Sequence, residues 1–182
     1  MSVPAIAVIV YEDAEGGRVD DVLEQVARML RESGNRLAGA VQHNTEAGDR
    51  CRCDMTLEDL ATGRRIDISE KRGPEARGCR LDSFALEDMV GRVTASLSNE
   101  AQLLIVNRYG KREAAGHGFR SAIEAAIEMR LPVLSAVSRT NLSAWAGFTA
   151  SLDDRLPADT DAVLDWCERN LRHAGCVTAA VG

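Results

Sequence analysis

The segment Asn107-Arg-Tyr-Gly-Lys-Arg-Glu-Ala-Ala-Gly-His-Gly-Phe-Arg120 gathers Arg108, Lys111, Arg112, His117 and Arg120 around a single acid, Glu113. Gly116 and Gly118 let the backbone approach a ligand just ahead of a helical pattern that opens at Phe119. Free N–H groups at a helix start favour anions, so this order of cations and glycines suits an oxyanion. The competing reading is a solvated basic loop with a glycine-assisted helix start. Glu113 fits an ion-pair partner as well as a general base, and no residue is assigned a catalytic role.

A second basic stretch, Lys71 to Arg80, also feeds a helix, with Asp82 as its N-cap. Gly78, Cys79 and Arg80 sit where backbone N–H groups and positive charge would face a ligand. Together the two stretches predict a shared oxyanion pocket, provided the fold brings them together.

A third stretch, Glu12 to Arg18, links a strand to a helix as a phosphate loop would. A working phosphate loop needs G-x-x-x-x-G-K-[ST]. Gly17-Arg18-Val19 occupies its last part, with Arg18 for lysine and Val19 for the hydroxyl that holds Mg²⁺; Glu12 stands at the first glycine. Glu12, Asp13 and Glu15 would repel phosphate. Leu103 to Asn107 ends in Asn where a Mg²⁺-binding strand ends in Asp. These departures read against triphosphate hydrolysis. A divergent nucleotide site using Gly17 with Arg18 or Lys111 is the second functional reading. A regulatory partner-binding module, presenting the exposed face of residues Asp54 to Ser69, is the third.

The chain has five cysteines, and an odd number without a signal peptide argues for reduced thiols. Cys51-Arg52-Cys53 could join His43 and Cys79 at a metal, but the spacing matches no strong zinc pattern. The expectation is no metal. Cys167 and Cys176 read as packing residues, and His173 as a helix-end charge.

The elements that must position these residues follow from apolar periodicity. Ala5 to Tyr11, Leu37 to Gln42, Leu103 to Asn107 and Pro132 to Val137 are short apolar runs, the mark of strands buried on both faces. Val19, Val22, Leu23, Val26, Met29 and Leu30 recur at helical spacing. So do Leu81, Phe84, Leu86, Met89, Val90, Val93 and Leu97, and then Phe119, Ala122, Ile123, Ala126 and Ile127. Leu142 to Leu152 and Asp161 to His173 complete the helices, and Cys176 to Val181 is either a last strand or a tail. Asp54 to Ser69 alternates around a turn at Ala61-Thr62-Gly63, which predicts a hairpin. Alternating strands and helices predict a three-layer α/β domain, 1–182, with a mostly parallel sheet and a small antiparallel extension. Ligands in such folds bind beyond the C-terminal strand ends, here the loops Glu12 to Arg18, Arg108 to Gly118 and Ser138 to Asn141.

A chain of 182 residues can bury roughly 70% of its unfolded surface, enough for a core without disulfides. Its net charge of −6 and pI near 5.1 disfavour a nucleic-acid binder. No apolar run approaches the ~20 residues that span a membrane, and Met1-Ser-Val-Pro-Ala5 lacks a basic signal start, so the expected location is cytoplasmic, without membrane insertion. Self-association is compatible with the sequence, which sets no oligomeric state.

These residues carry a family resemblance. Ala7 to Tyr11 with Gly17 and Asp20, Leu37 to Gln42, Cys53 to Gly63, Gly78 to Asp82, Leu104 to Arg120 and Pro132 to Val137 resemble the bacterial domain-of-unknown-function 2478 family over roughly residues 5 to 156. The resemblance implies a phosphate-loop-NTPase-like fold, similar in outline to nucleoside-triphosphatases of the thermophilic phosphatase type. It also implies a setting, since such proteins often accompany molybdate transport genes. No cofactor is certain; molybdate or tungstate becomes the oxyanion to test. Tetrahedral dianions suit glycine-bearing basic loops. A non-catalytic oxyanion-binding protein is the leading expectation.

Overall fold

Ile6–Tyr11 forms strand β1, and its unbroken apolar character is explained by burial on both faces of the sheet. The computed structural model describes residues 5–46, 53–70, 81–98 and 100–172. After β1, a 3₁₀ turn (Asp13–Glu15) leads into α1 (Gly16–Glu32), then β2 (Leu37–Glu46), β3 (Cys53–Asp59), β4 (Arg65–Asp67) and α2 (Ser83–Ser96). There follow β5 (Leu103–Val106), α3 (Lys111–Ala114), α4 (Arg120–Glu128), β6 (Val133–Ser138) and a second 3₁₀ turn (Arg139–Asn141). The described chain finishes with α5 (Leu142–Thr149), β7 (Asp154–Leu156) and α6 (Thr160–Asn170).

Among the described residues the strands form one sheet in the order β4-β3-β2-β5-β6-β1-β7. β2, β5, β6, β1 and β7 run parallel, while β3 and β4 extend the β2 side as an antiparallel hairpin. Helices α1 and α6 cover one face; α2, α4 and α5 cover the other. Val19, Leu23, Val26 and Leu30 of α1 pack with Ala7 and Ile9 of β1. On the opposite face Met89, Val93, Ile123 and Trp145 pack with Val8, Leu104 and Val106. Each large apolar side chain so buried contributes about 1.5–3 kcal/mol. The three-layer, mostly parallel architecture with its hairpin is the one the sequence pattern predicts.

Several local expectations change. The helix after β1 begins at Gly16, so Gly17 and Arg18 lie in its first turn rather than in a loop. The preceding 3₁₀ turn runs straight into it, with Glu15 N–H donating to the Glu12 carbonyl at 2.8 Å. β2 continues to Glu46, past the apolar run, because its far half pairs with β3 rather than lying under a helix. β7 is too short and charged to show an apolar run and owes its strand form to parallel pairing with β1. Phe84, expected in the core stripe, is 90% exposed, since it sits in the first turn of α2 ahead of the part that covers the sheet. Residues 71–80, expected as a loop, and 173–182, with His173 and Cys176, lie outside the described residues.

Candidate functional site

β1 sends its chain to α1 on one face of the sheet, and its neighbour β6 sends its chain to α5 on the other. Their last residues, Tyr11 and Ser138, are partners in the parallel register. The two exits therefore diverge from one point, the topological switch at which open α/β sheets form a ligand crevice. Here the exits are tied across that crevice. Arg139 Nε pairs with a Glu12 carboxylate oxygen, and Thr140 Oγ1 donates to Asp13 Oδ2 at 3.1 Å. The Arg139 and Glu12 side chains are 66% and 61% exposed, and ion pairs that open to water contribute on the order of 0–1 kcal/mol.

A second ion pair at the same edge is of another kind. Asp20, on α1, is 2% exposed and accepts from every direction. Arg108 Nη2 donates to its Oδ2 at 2.7 Å and its Oδ1 at 2.8 Å, and Arg108 Nε reaches Oδ1 at 3.2 Å. Asn107 Nδ2 donates to Oδ1 at 2.9 Å and Asn44 Nδ2 to Oδ2 at 2.6 Å. Asn107 Oδ1 in turn accepts the Gln42 backbone N–H at 3.0 Å. Breaking a buried, hydrogen-bonded pair of this sort costs about 3–5 kcal/mol. Arg108 also donates to the Gly16 carbonyl at 3.0 Å and stacks 5.6 Å from the centre of the Tyr11 ring. Burial raises the Tyr11 phenol above its ordinary value, although the Arg108 charge pulls it the other way.

This arrangement corrects the roles expected of Asn107 and Arg108. Both side chains are spent tying β5 to α1. A Cβ added at Gly16 would meet Arg108 Nη2 at 3.0 Å, so the guanidinium lies directly against the first turn of α1. The Glu12 N–H donates to Glu15 Oε2 at 3.1 Å, which closes the turn with its own carboxylate. Gly17 and Arg18 face solvent beyond it.

The basic stretch after β5 is shaped by its one acid. Glu113 is buried, accepting the Gly110 N–H at 2.9 Å on Oε2 and the Phe119 N–H at 3.1 Å on Oε1. The carboxylate thus ties the two ends of the loop together, and the general-base reading of Glu113 gives way to this one. Gly118 serves the same purpose: its φ is +60°, and a Cβ there would overlap Glu113 Oε1. Gly116, at φ +91°, turns the chain after α3 so that His117 N–H returns to the Arg112 carbonyl at 2.9 Å. Lys111 and His117 are left exposed.

Arg112 reaches out of this loop. Its Nη1 donates to Ser83 Oγ at 3.0 Å and its Nη2 to Glu87 at 3.3 Å, both on the first turns of α2. The first turns of α2, the helix that the second basic stretch precedes in the sequence, are therefore brought against the first. Gly78, Cys79 and Arg80 themselves lie outside the described residues. Asp82 is the N-cap, accepting from Phe84 and Ala85 N–H at 2.9 and 3.1 Å, so its carboxylate is occupied. Arg120 pairs with Glu124 at 2.9 Å and lies 4.7 Å over the Phe148 ring.

His43 Nε2 donates to Glu58 at 2.7 Å, and Arg31 pairs with the same carboxylate at 2.6 Å. Burial opposes the charge on Glu58, but the hydrogen bonds from Arg31 and His43 outweigh it and hold the carboxyl below its ordinary value. Among the described residues no group of three potential metal ligands converges. Cys51 and Cys79 are outside them.

Two residues of the edge were not reached by charge counting. In the sequence Asp20 stands out only as part of a family motif. The available signal was an acid, the first of Asp20-Asp21, at i of an i, i+3 pair with Leu23 on the apolar stripe of α1. Arg139 was marked only by its place in Ser138 to Asn141, one of the three strand-end loops.

The sequence model of a family described as "Protein of unknown function (DUF2478)" matches residues 6–166. A protein of Bradyrhizobium diazoefficiens described as "Molybdenum import ATP-binding protein ModC 2" is 33% identical over 161 residues, 88% of this chain. The match covers 18% of that relative, so the chain spans about a fifth of its length. A solved structure, that of a human cancer-related nucleoside triphosphatase, superposes with a TM-score of 0.60 over 98% of this chain and 100% of that one. At 14% identity this is a likeness of fold, and it places the three-layer sheet among phosphate-loop NTPase-like folds. No helix among the described residues is long and apolar enough to cross a membrane.

Proposed function

The chain belongs to the DUF2478 family, and from that premise we propose that it binds a small tetrahedral oxyanion of the molybdate or tungstate class without catalysing a reaction. The observation that carries this reading is the reach of Arg112 to Ser83, which brings the basic loop of Lys111 and His117 to the first turn of α2, the helix that the second basic stretch precedes in the sequence. Charge repulsion between cations gathered in an acidic chain is relieved by a bound anion. The molybdenum in the printed name of the relative supports the choice of anion. The β1 exit supports the non-catalytic part: its turn is closed by Glu15, covered by Arg108 and ringed by acids, a poor seat for a triphosphate.

Calorimetric titration with molybdate, tungstate and sulfate tests the reading. Saturable binding of the first two is expected, and no heat from any of them at millimolar concentration would sink it. The fold likeness favours a second reading, a nucleotide-binding protein. ATP or GTP, with or without Mg²⁺, would then raise the melting temperature by mass action while molybdate leaves it unchanged.

A further inference from the structure

The strand order β5-β6-β1 sets the exit of β6 between two unlike neighbours. On one side is the basic loop after β5, on the other the acidic turn after β1. Arg139 stands at that exit, and its guanidinium is drawn to the acidic side by Glu12. The two arginines of this edge differ in how firmly they are held. Arg108 is locked to a carboxylate that is 2% exposed and that two asparagines also serve. Arg139 is held by a carboxylate open to water, with one further cross-loop bond, Thr140 to Asp13, beside it. A dissolved anion can compete with Glu12 for Arg139; it cannot compete with Asp20 for Arg108.

We propose that Arg139 is an oxyanion-binding residue of the switch-point crevice, and that Glu12 is its built-in competitor, occupying the guanidinium until an anion replaces it. This rests on the oxyanion reading above. The exchange also gives a selectivity. The displaced Glu12, with Asp13 and Glu15 beside it, remains at the crevice. Repulsion by those acids disfavours a highly charged polyanion more than a compact dianion.

The test is titration of molybdate into the wild-type chain and into Glu12→Gln, Arg139→Gln and Arg139→Lys. Removing the competitor should tighten binding by up to about fivefold, the equivalent of about 1 kcal/mol. Arg139→Gln should weaken it about tenfold, and Arg139→Lys should recover most of the loss. All positions are exposed, so melting temperatures should stay close to wild type. Saturable binding by Glu12→Gln with none by wild type also upholds the proposal. Wild-type affinity in all variants would overturn it and leave the oxyanion reading standing. No heat from any of the four proteins would overturn both.

Discussion

The Glu113 carboxylate occupies the space that a side chain at Gly118 would need. A Cβ built on Gly118 overlaps Glu113 Oε1, the oxygen that also accepts the Phe119 N–H at 3.1 Å. Acid and glycine are therefore one device, which closes the basic loop on itself and turns Lys111 and His117 outward. Gly118→Ala should force the carboxylate off that N–H and strain a backbone at φ +60°. The left-handed conformation costs an alanine about 1 kcal/mol and a lost charge-assisted hydrogen bond about 1.5–3 kcal/mol. Urea denaturation should show a loss on the order of 3 kcal/mol, and a loss below about 0.5 kcal/mol would refute the pairing.

The Asp20–Arg108 pair should respond asymmetrically to substitution. Arg108→Met leaves a carboxylate buried with only neutral donors, and should cost about 3–5 kcal/mol. Asp20→Asn leaves the partly exposed guanidinium free to turn to water and keeps one acceptor for Asn107, losing only the bond from Asn44, so about 1–2 kcal/mol is expected. Equilibrium unfolding of both variants decides the order; the reverse order would mean that Asp20 is better hydrated than its 2% exposure implies.

Glu58 supplies a pH dependence with a definite sign. Its carboxyl is held below the ordinary value of 4.5, so the unfolded chain takes up the proton first as pH falls. The stability it contributes is fully present above about 4.5 and is lost as pH drops through the lowered native value. The difference in unfolding free energy between wild type and Glu58→Gln should therefore be flat from neutrality down to that point and shrink below it. A difference that grows under acid would show that the Arg31 and His43 contacts do not stabilise the carboxylate.

Cys167 should be inert in the folded chain. Burial, aided by the charge of Glu168, pushes its thiol up from 9.0 to about 12. Only the thiolate reacts with alkylating reagents, so at pH 8 about one molecule in ten thousand carries it. Iodoacetamide labelling read by peptide mass mapping should mark Cys167 in denaturant and leave it unmarked in the native state. By linkage, the unfolded chain gains stability relative to the folded as pH rises from 9.0 towards 12, since the folded thiol holds its proton longer. Rapid native labelling would show that α6 detaches from the sheet.

Much of this protein is determined by the sequence alone, because apolar periodicity is a local property. The runs Ile6–Tyr11 and Leu103–Val106 and the stripe Val19 to Leu30 specify buried strands and a covering helix, and their alternation specifies the parallel sheet. Where strand form came from pairing instead, as in β7 and the far half of β2, there was no apolar signal to read. The chemistry of the edge is not local. The residues Arg108, Asp20 and Arg139 are far apart in sequence, and a basic residue carries no mark of whether its charge is free. Only the tertiary structure decided that Arg108 is cancelled by a carboxylate 88 residues away while Arg139 is held by one that water already reaches. The physical reason is burial: a charge pair becomes permanent when the fold removes its alternatives, and strand order settles which pairs those are.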